Sequence, residues 1–257
     1  MAQNLTVRQI MAEPSIAGQR VSGEKLSPDG ERVAFFWNAE GKMPRDLYIV
    51  PTDGSRQPEK ILTPTALPTP EPSPTPDNKL DYGLELNDEW VLERRNQIGS
   101  VEWSPDSTKL VFTHSGDLYV FKLGDPAPKR LTRTQAPETS ARFLDNDRIL
   151  YMQGGHVFVL NTVDATLIQV SKEANPGQFR SVGGVTPNKS GSLVAYVVSD
   201  SSKQRALIVP NYLPEYATTS TFRRGWTEQK LYVMPTDGSR YELELLAVEG
   251  FPFPKKG

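Results

Sequence analysis

The chain has 257 residues, with 29 Lys and Arg against 31 Asp and Glu, for a formal charge of -2. That balance removes the whole-chain basic signature of a nucleic-acid or anionic-membrane binder. The lack of Cys excludes disulfide scaffolds, zinc–thiolate sites, iron–sulfur clusters and cysteine nucleophiles.

The start, Met1-Ala2-Gln3-Asn4-Leu5-Thr6-Val7-Arg8, lacks the charged-then-apolar order of a secretory signal. No apolar run approaches the roughly 18–20 residues that cross a bilayer, so no membrane span is expected. The first clear element is Leu26-Ser27-Pro28-Asp29-Gly30-Glu31-Arg32-Val33-Ala34-Phe35. Pro presets φ, Asp bonds back to its own backbone and Gly accepts positive φ, so Ser-Pro-Asp-Gly predicts a turn. The apolar, β-branched run after it predicts a strand, and Asp46-Leu47-Tyr48-Ile49-Val50 predicts another.

From Pro64 to Pro76 six prolines fall in 13 residues, a composition that cannot lie within a sheet and reads as a solvated, extended insertion. The turn-and-strand element then returns as Trp103-Ser104-Pro105-Asp106-Ser107-Thr108-Lys109-Leu110-Val111-Phe112. Its partner strand follows as Asp117-Leu118-Tyr119-Val120-Phe121. Degenerate copies are Phe143 to Tyr151, followed by His156-Val157-Phe158-Val159-Leu160, and Thr186 to Tyr196. The last partner, Lys230-Leu231-Tyr232-Val233-Met234, comes after a second insertion at 201–229 that is rich in aromatic and basic residues and is expected to fold against the blades.

Tyr119 to Phe158 is 39 residues, the length of one four-stranded propeller blade. Tyr48 to Tyr119 is 71 and Phe158 to Tyr232 is 74, one blade plus about 30 residues in each case. The expected fold is therefore all-β: a partial, about four-bladed β-propeller of four-stranded antiparallel blades over residues 1–257, with two insertions. A fifth blade has room to begin around Leu243. An open arc exposes sheet edges, so the chain is expected to be the front part of a longer propeller, or to self-associate.

The Ser-Pro-Asp-Gly and Leu-Tyr-Val repeats resemble those of TolB-type proteins and of prolyl oligopeptidases. The segment Val209-Pro210-Asn211-Tyr212-Leu213-Pro214-Glu215-Tyr216, then Arg223-Arg224-Gly225-Trp226, is similar to the N-terminal propeller of bacterial dipeptidyl peptidase IV-like serine peptidases. So is the opening Leu5-Thr6-Val7-Arg8-Gln9-Ile10-Met11-Ala12. The resemblance implies a non-catalytic propeller that gates access and binds peptide, beside a C-terminal α/β-hydrolase domain carrying the catalytic serine. No Gly-x-Ser-x-Gly elbow occurs here, so that domain is expected to lie outside this chain, and no catalytic residue is assigned. The resemblance also implies export to the periplasm or cell exterior, which the visible N-terminus does not. The alternative reading is a non-enzymatic TolB-like scaffold for protein partners.

The same resemblance marks a binding segment. Dipeptidyl peptidase IV proteins carry Asp-Trp-Val-Tyr-Glu-Glu-Glu before a Trp-Ser-Pro repeat, and its last two carboxylates hold the substrate ammonium. Here the register reads Glu89-Trp90-Val91-Leu92-Glu93-Arg94-Arg95, which keeps Glu93 and puts two cations where the carboxylates would be. Glu93, Arg94 and Arg95, with Arg223 and Arg224, are the substrate-binding candidates, and the arginines can clamp a carboxylate in bidentate fashion. His114 is expected in a hairpin turn and His156 at a strand start, both structural. Ser27 and Ser104 recur with the blades and so read as turn residues rather than nucleophiles. Trp90, Trp103, Trp226 and Tyr212 read as packing aromatics. No calcium-loop or phosphate-loop spacing is present, and no metal or cofactor is expected.

Overall fold

The computed structural model describes residues 6–7, 20–41, 43–68, 96–171, 176–177, 179–212, 217–225, 227–239 and 243–248, with backbone only for 206–212, 217–224 and 243–248. The described chain is built of antiparallel sheets, each a meander of sequential strands. Sheet 1 takes β1 (Ser22–Leu26), β2 (Arg32–Trp37), β3 (Asp46–Pro51) and β4 (Glu59–Leu62) in that order. Sheet 2 takes β5 (Ile98–Trp103), β6 (Lys109–His114), β7 (Asp117–Lys122) and β8 (Lys129–Arg130). Sheet 3 takes β9 (Glu138–Phe143), β10 (Arg148–Gln153), β11 (His156–Asn161) and β12 (Leu167–Gln169).

Sheet 4 differs. Its strands are β13 (Arg180–Pro187), β14 (Leu193–Asp200), β17 (Glu228–Pro235) and β18 (Leu243–Val248), with the two-stranded ribbon β15 (Arg205–Tyr212) and β16 (Ala217–Arg224) inserted between β14 and β17. Leu243 thus corrects the expectation of a fifth blade. Its strand pairs with β17, Lys230 opposite Ala247 and Leu231 opposite Leu246, and supplies the outer strand of sheet 4. Pro210 lies in β15, where a ribbon with an unpaired edge tolerates a residue that cannot donate.

The chain divides into two compact units, 1–147 and 148–257. In the first, Ala34, Leu47, Ile49 and Leu62 of sheet 1 form one core cluster with Val101, Trp103, Leu110 and Phe112 of sheet 2. Trp103 also donates its indole N–H to the Lys25 carbonyl at 2.9 Å, as a buried Trp must.

One cross-strand pair explains the Leu-Tyr-Val signature. Phe35 stacks on Tyr48, Phe112 on Tyr119, Tyr151 on Phe158 and Tyr196 on Tyr232, with centroids 5.4–5.8 Å apart. Each pair stands directly opposite in its sheet, the geometry in which aromatic rings add most to sheet stability.

The Ser-Pro-Asp turns are held by one repeated set of hydrogen bonds. Ser104 Oγ donates to Asp106 Oδ1 at 2.6 Å and accepts from the Lys109 N–H at 2.9 Å. Ser27 does the same with Asp29 (2.5 Å) and the Arg32 N–H (2.9 Å). Asp29 and Asp106 each accept from the backbone N–H two residues on, at 3.0 Å. In sheet 4, Asn188 takes the serine's place and accepts from the Leu193 N–H at 3.0 Å. Positive φ falls where the turn needs it, at Gly30 (77°) and, without glycine, at Ser107 (59°).

A second repeat joins neighbouring sheets. The first residue of the second strand is a cation in sheets 1 to 3, and each reaches a carbonyl in the next turn of the same type. Arg32 reaches the Ser107 carbonyl at 3.5 Å, Lys109 the Asn146 carbonyl at 2.8 Å, and Arg148 the Gly191 carbonyl at 3.2 Å.

Candidate functional site

An antiparallel meander gives each sheet two unlike ends. At one lie the turn between the first and second strands and the turn between the third and fourth. In sheet 2 these are 104–108 and 123–128, both short. At the other end lie the turn between the second and third strands and the exit from the fourth. In sheets 1 and 4 that end carries the two long segments, 63–97 after β4 and 201–227 between β14 and β17. Irregular segments borne on a rigid frame are where binding residues concentrate.

Both groups of sequence-predicted residues fall on these segments. Glu93, Arg94 and Arg95 lie outside the described residues, as do the tip 213–216 and Trp226. Arg223 and Arg224 end β16, so they sit at the base of the ribbon and not at its tip. The register sets Arg224 opposite Arg205 and Arg223 opposite Ala206. Arg205, which the sequence did not single out, is exposed and stands opposite Arg224 at the ribbon base by backbone register. Like charges directly opposite each other disfavour a strand pair, so such a base gains from an anion placed beside it.

The corresponding end of sheet 2 is closed by a buried titratable cluster. His114 ends β6 and is buried, which corrects its expected place in the hairpin turn; that turn is Ser115-Gly116. Its Nδ1 lies 3.3 Å from the Gln97 carbonyl and its ring meets Tyr119 edge-on. Burial lowers its pKa, against the opposing pull of backbone carbonyls and Asp117. Beside it Arg130 pairs with Asp117, whose other oxygen accepts from the Thr134 N–H at 3.1 Å. Glu138 is buried, with Oε1 2.6 Å from Thr134 Oγ1, and desolvation pushes its pKa up.

Sheet 3 shows what this cluster does. His156 occupies the register of Asp117, and Gln169 that of Arg130, since Phe158 pairs with Gln169 as Tyr119 pairs with Arg130. Gln169 Nε2 lies 3.0 Å from His156 Nδ1, so an imidazole–amide contact stands where sheet 2 has an ion pair. Ser171 Oγ is 3.5 Å from the same nitrogen, a serine–imidazole proximity the sequence spacing did not reveal. Yet Ser171 is fully buried and its hydroxyl accepts from the Val157 N–H at 2.7 Å. Thr132 does the same for Leu118 in sheet 2, at 2.8 Å, so this hydroxyl ends the outer strand in both sheets. Ser27 and Ser104 are likewise buried and engaged.

At the short-turn end of the second unit a cleft of about 210 Å³ is lined by Arg148, Asn161, Asp164 and Asp237 above Val159 and Ile168. Hydrogen bonds from Thr166 hold the Asp164 carboxyl below its ordinary range, and those from Ser239 do so for Asp237. Arg148 is committed to Thr236 Oγ1 at 3.0 Å and to the Gly191 carbonyl. The Thr236 turn repeats that of sheet 1: Pro51-Thr52-Asp53-Gly54-Ser55 returns as Pro235-Thr236-Asp237-Gly238-Ser239. Thr52 holds the Gly30 carbonyl at 2.7 Å as Thr236 holds that of Gly191 at 2.6 Å. The cleft is therefore turn architecture. Among the described residues no three His, Asp or Glu side chains gather as a metal site, and no helix is long and apolar enough to cross a membrane.

No family model and no curated protein matches the sequence. Solved structures do match the fold. Dipeptidyl peptidase 4 of Porphyromonas gingivalis is 13% identical over 82% of this chain and 30% of its own, with a TM-score of 0.51. A protein of Agrobacterium tumefaciens assigned as TolB is 16% identical over 84% of this chain and 62% of its own, at 0.47. The tricorn protease is 12% identical over 79% and 17%, at 0.44. The chain spans less than two thirds of each of these proteins. The likeness to the dipeptidyl peptidase places the four sheets as blades of a β-propeller.

Proposed function

We propose that this chain is the non-catalytic N-terminal propeller of a dipeptidyl peptidase IV-like serine peptidase, which gates access and binds peptide substrate. The observation that carries the reading is where the insertions leave the blades. Both long segments, and with them Arg94-Arg95 and Arg223-Arg224, arise at the same kind of strand end, opposite the short turns. Cleavage would belong to an α/β-hydrolase domain outside these residues. Two arginines where carboxylates would hold an ammonium point to recognition of a peptide carboxylate, by paired N–H···O bonds.

The test is binding of short peptides with free and blocked termini to the wild type and to the Arg94→Ala/Arg95→Ala and Arg223→Ala/Arg224→Ala variants. Removing a doublet should weaken peptides with a free carboxylate about tenfold and leave the blocked ones unchanged, the size expected of a charge-assisted pair. Unchanged affinity for every peptide would end the proposal. Capture of a folded protein with no peptide binding would favour the TolB-like scaffold instead. Inhibitor-sensitive hydrolysis of Pro-linked chromogenic dipeptides by this chain would contradict the non-catalytic role.

A further inference from the structure

The first strands are where neighbouring sheets of the first unit meet: β1 lies beside β5, and β5 beside β9. Two places before the turn that follows each of them stand Lys25 in β1, Glu102 in β5 and Arg142 in β9. Lys25 Nζ donates to Glu102 Oε1 at 2.5 Å, so two of the three charges cancel. Arg142 is half-buried and has no hydrogen-bond or ion-pair partner among the described residues. The charge left over in this row is an open guanidinium.

Two residues further back, the first strands are bulged. β1, β5 and β13 each carry one extra residue there against their second strand. In β1 and β13 the residue at that place has a left-handed backbone and is glycine, Gly23 at 67° and Gly184 at 61°. β9 has Ser140 there, at 56°. The other non-glycine residues with positive φ, Ser107, Ser115 and Ala165, all lie between strands, so among the described residues Ser140 alone takes this conformation inside one. Its side chain costs backbone strain that glycine would remove, and strain kept in this way points to a use for the side chain. Ser140 is exposed, as is Ser100 at the same place in β5, and neither hydroxyl has a partner among the described residues. The turn serines Ser27 and Ser104, by contrast, are each engaged twice.

We propose that Arg142, Ser140 and Ser100 form a subsite for a carboxylate of the bound peptide, a site that rests on the reading of the chain as a peptide binder but not on its arginine doublets. An anion is favoured over a cation because Lys25 already neutralises Glu102 and the row keeps one positive charge. The guanidinium offers paired N–H donors to both carboxylate oxygens, and the two hydroxyls can donate to the lone pairs that remain.

The experiment is calorimetric titration of the full chain with three acetylated peptides: tetra-alanine with a free C-terminus, its C-terminal amide, and that amide with one Ala replaced by Glu. Arg142→Gln should weaken binding of a carboxylate-bearing peptide about tenfold and leave the plain amide as it was. Loss with the free C-terminus alone assigns the subsite to the terminal carboxylate, and loss with the Glu peptide alone assigns it to an acidic side chain. Ser140→Gly should move two readouts in opposite directions, weakening the same peptide several-fold while raising the urea midpoint, because it removes the hydroxyl and the strain together. Unchanged affinities in Arg142→Gln, or a Ser140→Gly chain that gains stability and binds as before, would overturn the proposal. The doublet variants, measured alongside, separate this site from theirs. Weakening by them with none by Arg142→Gln removes this subsite and keeps the doublets; the converse keeps this subsite and removes them.

Discussion

The two ends of each blade solve the same problem, how to reverse a strand, in different ways. At the short-turn end the solution is copied from sheet to sheet. Ser27 and Ser104 make one set of bonds with Asp29 and Asp106, and Asn188 makes a variant of it. At the other end the solution is tertiary and differs from sheet to sheet: an Asp117–Arg130 pair in sheet 2, a His156–Gln169 bond in sheet 3, and a whole ribbon in sheet 4. The difference teaches where change is tolerated. Turns copied from sheet to sheet, and tied each to the next sheet, fix the frame, while an end closed differently in each sheet can accept inserted chain.

The comparison predicts unequal costs. Asp117→Ala should be the most damaging polar substitution, at about 2–3 kcal/mol by denaturant unfolding, because it strands the Arg130 guanidinium and the Thr134 N–H together. Arg130 keeps partial solvent access, which holds the loss below that of a fully buried pair. A cost near zero would mean that this end is not held by its charges. Ser104→Ala comes next, at about 1–2 kcal/mol, since the Lys109 N–H and Asp106 each lose a partner. Ser27→Ala should match it within a few tenths of a kcal/mol; a large disparity would show that the two turns are not energetic copies.

The same contrast explains what was legible in the sequence. Local turn chemistry is written in adjacent residues, so Ser27-Pro28-Asp29-Gly30 and Leu47-Tyr48-Ile49 could be read directly as turn and strand. The cross-strand stacks make Phe35, Phe112, Tyr151 and Tyr196 regular enough to count blades. Tertiary closure is not written that way. His114 looked like a turn residue because Gly116 and Asp117 flank it, yet one step of strand pairing, His114 opposite Asp117, buries it. Ser171 could not be tied to His156 because 15 residues and an outer strand separate them. Leu243 looked like a new blade because inner and outer strands share the same apolar alternation; pairing with β17 decides between them. Arg205 escaped notice because a ribbon's register, not its spacing, sets it against Arg224. The repeated Thr-Asp-Gly-Ser turn at 52–55 and 236–239 is local and therefore legible in the sequence.

The smallest effect, and the finest test of the comparison, is in pH. His114 is nearly free of solvent contact and its pKa is lowered from 6.5, so between that lowered value and 6.5 the unfolded chain binds more protons than the folded one. Stability therefore rises with pH through that window and is lost as His114 must charge on acidification. Glu138 acts with the opposite sign. Its pKa is raised above 4.5, so above 4.5 the folded chain holds the proton longer, and stability falls as pH climbs through its folded value. His114→Asn should flatten the rise below pH 6.5 in denaturant midpoints, and Glu138→Gln should steepen the net rise by removing the opposing slope. If neither substitution moved the profile, burial of these two groups would not be what closes this end of sheet 2, and the contrast with its short turns would fail.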